Sequence, residues 1–219
     1  MRKIVSGPWS IVHGKVSMIN KKVYFFMVIT MVYGLWTMVS SCNSTYTAKP
    51  KGYYKIDFPE KKYQVFNQPG YPYSFEYPVY ARVVKDSTFF GDATENPWWI
   101  NIDFPQFAAR VHMSYKEIGK NKFDSLVNDA FKLSYKQHTY KASAIEDSAM
   151  VTPNNVHGMY FTLAGNTATA NQFFLTDSTR HFLRGALYFA ATSNEDSIGI
   201  VNDFLKEDIL HLINTLKWK

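Results

Sequence analysis

The stretch Thr176-Asp177-Ser178-Thr179-Arg180-His181 gathers a carboxylate, a hydroxyl and an imidazole, the side-chain types that an orienting acid, a nucleophile and a base require. The fold normally brings triad members together from distant positions, because close sequence neighbours cannot align all three roles. The same residues also make a hairpin turn between two strand-like runs, with Asp177 and Ser178 bonding their own backbone, and that is the reading adopted. The six histidines, at positions 13, 112, 138, 157, 181 and 211, include no two at ligand spacing on one element. Glu207 and His211, four apart on a helical stretch, read as a solvent-side pair. No glycine-rich phosphate loop, HExxH, GxSxG or CxxC occurs in the chain. No catalytic residue, cofactor site or metal ligand is assigned, and the protein is expected not to be an enzyme.

The remaining reactive side chain is Cys42, the one cysteine of 219 residues. A single thiol forbids an internal disulfide framework and any multi-cysteine zinc site. Its setting is specific. From Met18 the chain reads Lys21 and Lys22, then an uncharged, mostly apolar run from Val23 to Val39, then Ser40-Ser41-Cys42. That is an export signal ending in a lipobox-like Val39-Ser40-Ser41-Cys42, which directs lipid to the thiol and cleavage before it. An uncleaved membrane anchor is the alternative, for which the run is only marginally long enough. Residues 1–17 precede a complete signal with its own Met, so they are expected to be a spurious extension, with residues 18–41 the signal peptide. Residues 42–53 are polar and aperiodic and read as a tether.

Charge follows the same division. Residues 1–41 carry five basic groups and no acid, leaving 19 of the 24 basic groups against all 18 acidic ones. The body is therefore almost neutral, without the basic footprint of a nucleic-acid binder. With 17 Phe, 15 Tyr and 5 Trp, stability must come from a packed core.

Residues 54–219 show no further composition break or repeat and read as one domain. Strand-like runs lie near 73–75, 80–85, 98–104, 108–115, 148–152, 156–163, 172–176 and 182–191, separated by turn signals such as Gln68-Pro69-Gly70, Pro153-Asn154-Asn155 and Gly165-Asn166. Phe107, Ala109, Val111, Met113 and Tyr115 share one face, as do Met159, Phe161 and Leu163, and Leu183, Leu187 and Phe189. Two helices are predicted to cover the sheet. One starts at an Asn121 N-cap with a Phe123, Leu126, Val127, Ala130 and Leu133 stripe. The other follows Ser193 and runs through Ile198, Val201, Leu205, Ile209, Leu212 and Leu216. The expected fold is an α+β two-layer sandwich, an antiparallel sheet of about six to eight strands against two long helices, with a layout like Mog1/PsbP domains. Of the adjacent Trp98 and Trp99, one must enter the core; core packing for both, or an exposed aromatic edge for protein or glycan contact, are the two readings of the other.

Several stretches together carry a family resemblance: Lys49-Pro50-Lys51-Gly52-Tyr53, Asp57-Phe58-Pro59, Phe123-Asp124-Ser125-Leu126, Val156-His157-Gly158-Met159-Tyr160, and above all residues 165–189, with the ending Asn214-Thr215-Leu216-Lys217-Trp218-Lys219. Residues 42–219 resemble the gliding-motility lipoprotein family GldD of Bacteroidota. The resemblance implies a palmitate-bearing lipoprotein of the outer membrane, anchored through Cys42. It would serve gliding in a lineage where gliding depends on the type IX secretion machinery. It carries over no catalytic residue and no cofactor. The expected role is a non-catalytic component or assembly factor on the periplasmic face, with other envelope proteins of that machinery as partners. A periplasmic glycan- or peptide-binding protein or envelope enzyme is the alternative. The candidate partner surface is the polar loop cluster of Asn166, Thr167 and Asn171 with Asp177, Ser178, Arg180 and His181.

Overall fold

The computed structural model describes residues 20–39, 55–89, 92–136, 138–190 and 195–219. Two units are distinct: one covers Met1–Gly52, the other Tyr53–Lys219. In the first, α1 (Lys21–Val39) follows from an apolar run without a proline, and its side chains from Val23 to Tyr33 are exposed. Among the described residues no helix is long and apolar enough to cross a membrane. Cys42, the whole tether over 42–53, the extension over 1–17 and Ser193 lie outside the described residues.

The second unit begins with β1 (Tyr63–Phe66), β2 (Tyr73–Pro78), β3 (Arg82–Lys85), and the short pair β4 (Thr88–Phe89) and β5 (Asp92–Ala93). It continues with β6 (Ile100–Phe104), a single turn of tighter helix at Pro105–Phe107, β7 (Ala109–Glu117) and α2 (Phe123–Tyr135). Strands β8 (Ala142–Val151), β9 (His157–Gly165), β10 (Asn171–Thr176) and β11 (His181–Phe189) follow, then α3 (Glu195–Thr215) and β12 (Lys217–Trp218). Seven strands form one sheet in the order β3-β6-β7-β11-β10-β9-β8, every neighbour antiparallel. A smaller sheet, β1-β2-β12, brings the chain end back onto β2, pairing Trp218 with Tyr73.

The α+β class, the antiparallel sheet and the two long helices of the domain are as the sequence implies. The layering differs. Alternation along each strand sends Val111, Met113, Tyr115, Phe173, Leu175, Leu183 and Leu187 to one face, where α3 covers them with Leu205, Ile209, Leu212 and Ile213. The intervening residues Phe161, Leu163, Phe174 and Phe182 face the other way and meet Leu126 and Ala130 of α2. The helices thus lie on opposite faces, because β9, β10 and β11 are apolar on both.

Local starts also differ from the sequence reading. The N-cap of α2 is Lys122, which makes no side-chain cap. Asn121 instead donates to Glu95 Oε1 at 2.7 Å and to the Glu117 carbonyl, while Asp124 supplies the negative charge that the first helical turn favours. Phe107 leaves the β7 pattern because the residues around Pro105 turn, ending at Ala108 in the left-handed region (φ 46°). Strands β1 and β12 were not anticipated.

Gly185 sits directly opposite Phe173, the far end of whose ring occupies the space beside it; an added Cβ would stand 2.2 Å from the ring. Phe173 belongs to a strand buried at every position and has no room to move. Gly185→Ala is therefore expected to destabilise the domain by about 2 kcal/mol or more through overpacking, read as a lowered urea midpoint.

Candidate functional site

The turn from Asp177 to Arg180 is built around one carboxylate. Asp177 Oδ1 accepts the backbone N–H groups of Thr179 (3.0 Å), Arg180 (2.8 Å) and His181 (2.8 Å). Thr176 Oγ1 accepts the N–H of Ser178, which holds a left-handed φ of 62°. Partial burial alone pushes the Asp177 carboxyl up, but the N–H groups of His181, Arg180 and Thr179 together outweigh it and hold the group below its ordinary value. The clamp leaves Ser178, Thr179 and Arg180 exposed.

His181 faces inward from the same turn. Its Nδ1 meets the Tyr115 hydroxyl at 2.6 Å, and its ring stacks on Trp218 with centroids 5.0 Å apart and planes 13° from parallel. That contact leaves Nε2 toward Asp177 Oδ2, 3.9 Å away. Burial lowers the His181 pKa, outweighing Asp177, so the ring is neutral at neutral pH; burial pushes the Tyr115 hydroxyl up to about 12. The imidazole is thus engaged in holding β7, β11 and β12 together, and Ser178 makes no hydrogen bond to it. The arrangement is a turn with a packed histidine, not a nucleophile with its base.

The other half of the candidate surface is elsewhere. Asn171 begins β10 and Asp177 follows its last residue, so the two polar groups stand at opposite ends of one strand. The structure does not bring them together. Asn171 is fully buried: its Oδ1 accepts from the Tyr160 hydroxyl at 2.7 Å and its Nδ2 donates to Asn202 Oδ1 at 2.6 Å, latching β9 and β10 to α3. Thr167 is buried as well and donates to the Thr169 carbonyl. Only Asn166 of that loop is exposed among the proposed contact residues, so Thr167 and Asn171 are structural. Neither of the two adjacent tryptophans is exposed. Trp99 is buried, its Nε1 donating to the Tyr115 carbonyl at 2.8 Å, and Trp98 packs edge-on against the Tyr115 ring.

A polar cluster went unnoticed in the sequence. Asp208 of α3 is 1% exposed and accepts from Lys61 Nζ (3.0 Å), Tyr63 Oη (3.0 Å) and Tyr80 Oη. Lys61 also donates to the Phe204 carbonyl and pairs with Glu207 at 3.1 Å. His211 contacts Glu76 Oε2 at 2.7 Å and stacks on Tyr63, so Glu207 and His211 do not pair with each other. Burial, followed by hydrogen bonding to Asp208, raises both tyrosine pKa values, which keeps these hydroxyls protonated donors. The visible signal was an acid inside the apolar stripe of Leu205, Ile209 and Leu212. Among the described residues, no group of three or more His, Cys, Asp or Glu could hold a metal ion.

The sequence model of one family, described as gliding motility lipoprotein GldD, matches residues 43–218. No curated protein sequence matches the chain. Among solved structures, the solution structure of cyanobacterial PsbP (CyanoP) from Synechocystis sp. PCC 6803 is similar at 9% identity and a TM-score of 0.42, over 78% of this chain and 99% of that one.

Two substitutions separate the clamps. Asp208→Ala removes the buried acceptor shared by Lys61, Tyr63 and Tyr80 and is expected to cost about 3 kcal/mol in denaturant unfolding. Asp177→Asn keeps an acceptor and loses only the charge. Because the native Asp177 pKa is depressed, its stabilisation is complete above the ordinary carboxylate range and is lost as pH falls through the native value. Stability measured from neutral pH down to about pH 2 should therefore show a shallower acid limb in Asp177→Asn than in the wild type.

Proposed function

Because the chain belongs to the gliding motility lipoprotein GldD family, we propose that it is a non-catalytic component or assembly factor of the gliding and type IX secretion machinery. Membership makes it a membrane-anchored lipoprotein of the envelope. In this reading lipid on Cys42 holds the domain to the periplasmic face of the outer membrane, and more than one acyl chain supplies the stable attachment that a single chain does not.

The observation that carries the non-catalytic reading is where the reactive side chains are spent. His181 is held by Tyr115 and Trp218, Asp177 by three backbone N–H groups, and Asp208 by a lysine and two tyrosines. Each is bound to a partner within the fold, and none converges with a second free group on an open cleft. What remains outward is a rigid knuckle, Ser178-Thr179-Arg180. Its backbone is fixed from below by Asp177 and from the side by the Ile118 N–H bonding the Arg180 carbonyl at 2.9 Å. A contact surface that is ordered before binding loses little entropy on docking.

The test is crosslinking and capture of the protein from its native envelope, with Cys42→Ala and Arg180→Ala versions alongside. Capture of gliding or secretion components that weakens in both variants, with motility reduced in parallel, is the expected result. Unchanged capture and motility in Arg180→Ala would remove the knuckle as the contact. Recovery of glycan or peptide in place of protein partners would favour a binding protein instead.

A further inference from the structure

The seven-stranded sheet ends in two unlike edges. At one side β3 spans four residues and is bracketed by Arg82 and Lys85, short and cationic as protected edges commonly are. At the other, β8 runs for ten residues and contains no lysine or proline. Its one irregularity is a register shift between Ala142 and Ala144, so the ladder with β9 is regular from Ala144 to Val151. Along that stretch Ala144, Glu146, Asp147, Ser148, Ala149 and Val151 are exposed, Val151 by 64%. A long, regular edge of this kind is a template for a further strand.

The ladder shows which backbone groups are free. The Thr152 N–H donates to the Val156 carbonyl at 2.9 Å. Hydrogen-bonding direction alternates along an antiparallel strand, so Met150, Ser148 and Glu146 also turn their backbone groups toward β9. Those of Ile145, Asp147, Ala149 and Val151 point away from it, and among the described residues no other strand meets them. Side chains follow the same count. Ile145, Asp147, Ala149 and Val151 stand opposite Leu163, Phe161, Met159 and His157, on the α2 face. There Tyr135 of α2 donates to Asp147 Oδ1 at 2.6 Å and draws that carboxylate toward the helix. Ser148 and Glu146, opposite Tyr160 and Thr162, take the α3 face.

The strand fits a second copy of itself in one register. A two-fold axis perpendicular to the sheet lays β8 antiparallel to its copy, keeps like faces together and must pass beside a single residue. Centred on Glu146 or Asp147, it would set two carboxylates directly opposite each other. Centred on Ala149, it would set Pro153, which has no N–H, against Ile145. Centres nearer either end shorten the ladder or run it into the register shift. Centred on Ser148, it places Ile145 against Val151, Glu146 against Met150 and Asp147 against Ala149, with no like charges opposed. The outward N–H and C=O groups of Ile145 and Val151, and of Asp147 and Ala149, then form hydrogen-bonded pairs, and the exposed Val151 gains an apolar partner. We propose that the β8 edge is a self-association site, two copies of the chain joining antiparallel about Ser148 into one continuous sheet. Attachment of both copies to one membrane raises their effective concentration, which suits an interface of this modest size. The edge does not include the Ser178-Thr179-Arg180 knuckle, so either can fail without the other.

The experiment is oxidation of native envelope membranes with copper phenanthroline, read on a non-reducing gel, for Ser148→Cys and Glu146→Cys versions of the full chain. The two Ser148 positions face each other as a non-hydrogen-bonded pair with Cα atoms about 4.5 Å apart, within the span of a disulfide. The two Glu146 positions lie roughly 14 Å apart in this register, beyond that span. A disulfide dimer is expected for Ser148→Cys at about tenfold the yield of Glu146→Cys or more. Ala149→Pro, added to Ser148→Cys, removes an N–H that points away from β9 and should abolish the dimer while leaving the fold. The unmodified chain, whose one thiol is Cys42, runs alongside, so a failure of lipid attachment registers there and a failure of the edge in the contrast of Ser148→Cys with Glu146→Cys. That contrast stands even if Ala149→Pro does not fold. No dimer for Ser148→Cys, equal yield for Glu146→Cys, a dimer that survives Ala149→Pro in folded protein, or Ser148→Cys joined to a different protein would each overturn the assignment.

Discussion

A carboxylate buried in the last helix decides how the domain is closed. Asp208, at 1% exposure, must have its carboxylate oxygens satisfied from within the fold, and the three donors that reach it are Lys61 just before β1, Tyr63 at the start of β1, and Tyr80 in the turn between β2 and β3. Satisfying that one group therefore fixes Lys61, Tyr63 and Tyr80 against α3, and with them the small sheet. Phe58 stacks on Phe204 at 4.4 Å and extends the same seam toward the start of the domain. The far end of α3 is secured by strand pairing, where Lys217 and Trp218 join β2. The helix is consequently held in its middle and at its C-terminal end by residues from the beginning of the domain. In a lipid-tethered protein this has a mechanical meaning: a pull arriving from the N-terminal side first reaches Phe58, Lys61 and Tyr63, which are packed on or bound to the C-terminal helix and not to a loose edge.

Local pattern was enough for much of this. The stripe Leu205, Ile209, Leu212 and Leu216 announces α3, and the alternation of Val111, Met113 and Tyr115 announces β7, because each depends on residues a few positions apart. Strands β1 and β12 were not legible for the opposite reason. Tyr63–Phe66 is mostly exposed and Lys217–Trp218 is only two residues long, and both exist as strands because β2 supplies a partner from elsewhere in the chain. The placement of the helices on opposite faces was hidden as well, since β9 to β11 carry apolar residues on both sides and pattern alone does not say which side each helix takes.

The polar residues divide along the same line. Asp177 binds atoms two to four residues away, so its turn chemistry could be read from sequence. Asn171 and Thr167 sit in an equally polar stretch, yet both are buried. The Asn171 amide is satisfied by Tyr160 on the neighbouring strand and by Asn202 on α3, and no local signal distinguishes such an asparagine from a surface one. The difference between a loop that faces a partner and a loop that seals a core lay in those distant partners.

The two faces of the large sheet have been put to different uses, and this bears on where function resides. The face under α3 is covered by a helix, a second sheet and a dense aromatic cluster, with a cavity of about 330 Å³ between residues 198–203 of α3 and residues 162–170. The opposite face is apolar only beneath α2; along β7 it carries Arg110, His112, Ser114 and Lys116, as an antiparallel sheet with one solvated side permits. The Asp177 turn, Trp218 and the Tyr115 end of β7 meet at one end of the sheet and come from three distant parts of the chain, so that end is stiff. The α2 side is held differently, by a helix whose N-cap makes no side-chain bond and which packs on the sheet through Leu126 and Ala130. The rigid end is the one that suits a surface that must present one shape to a protein partner.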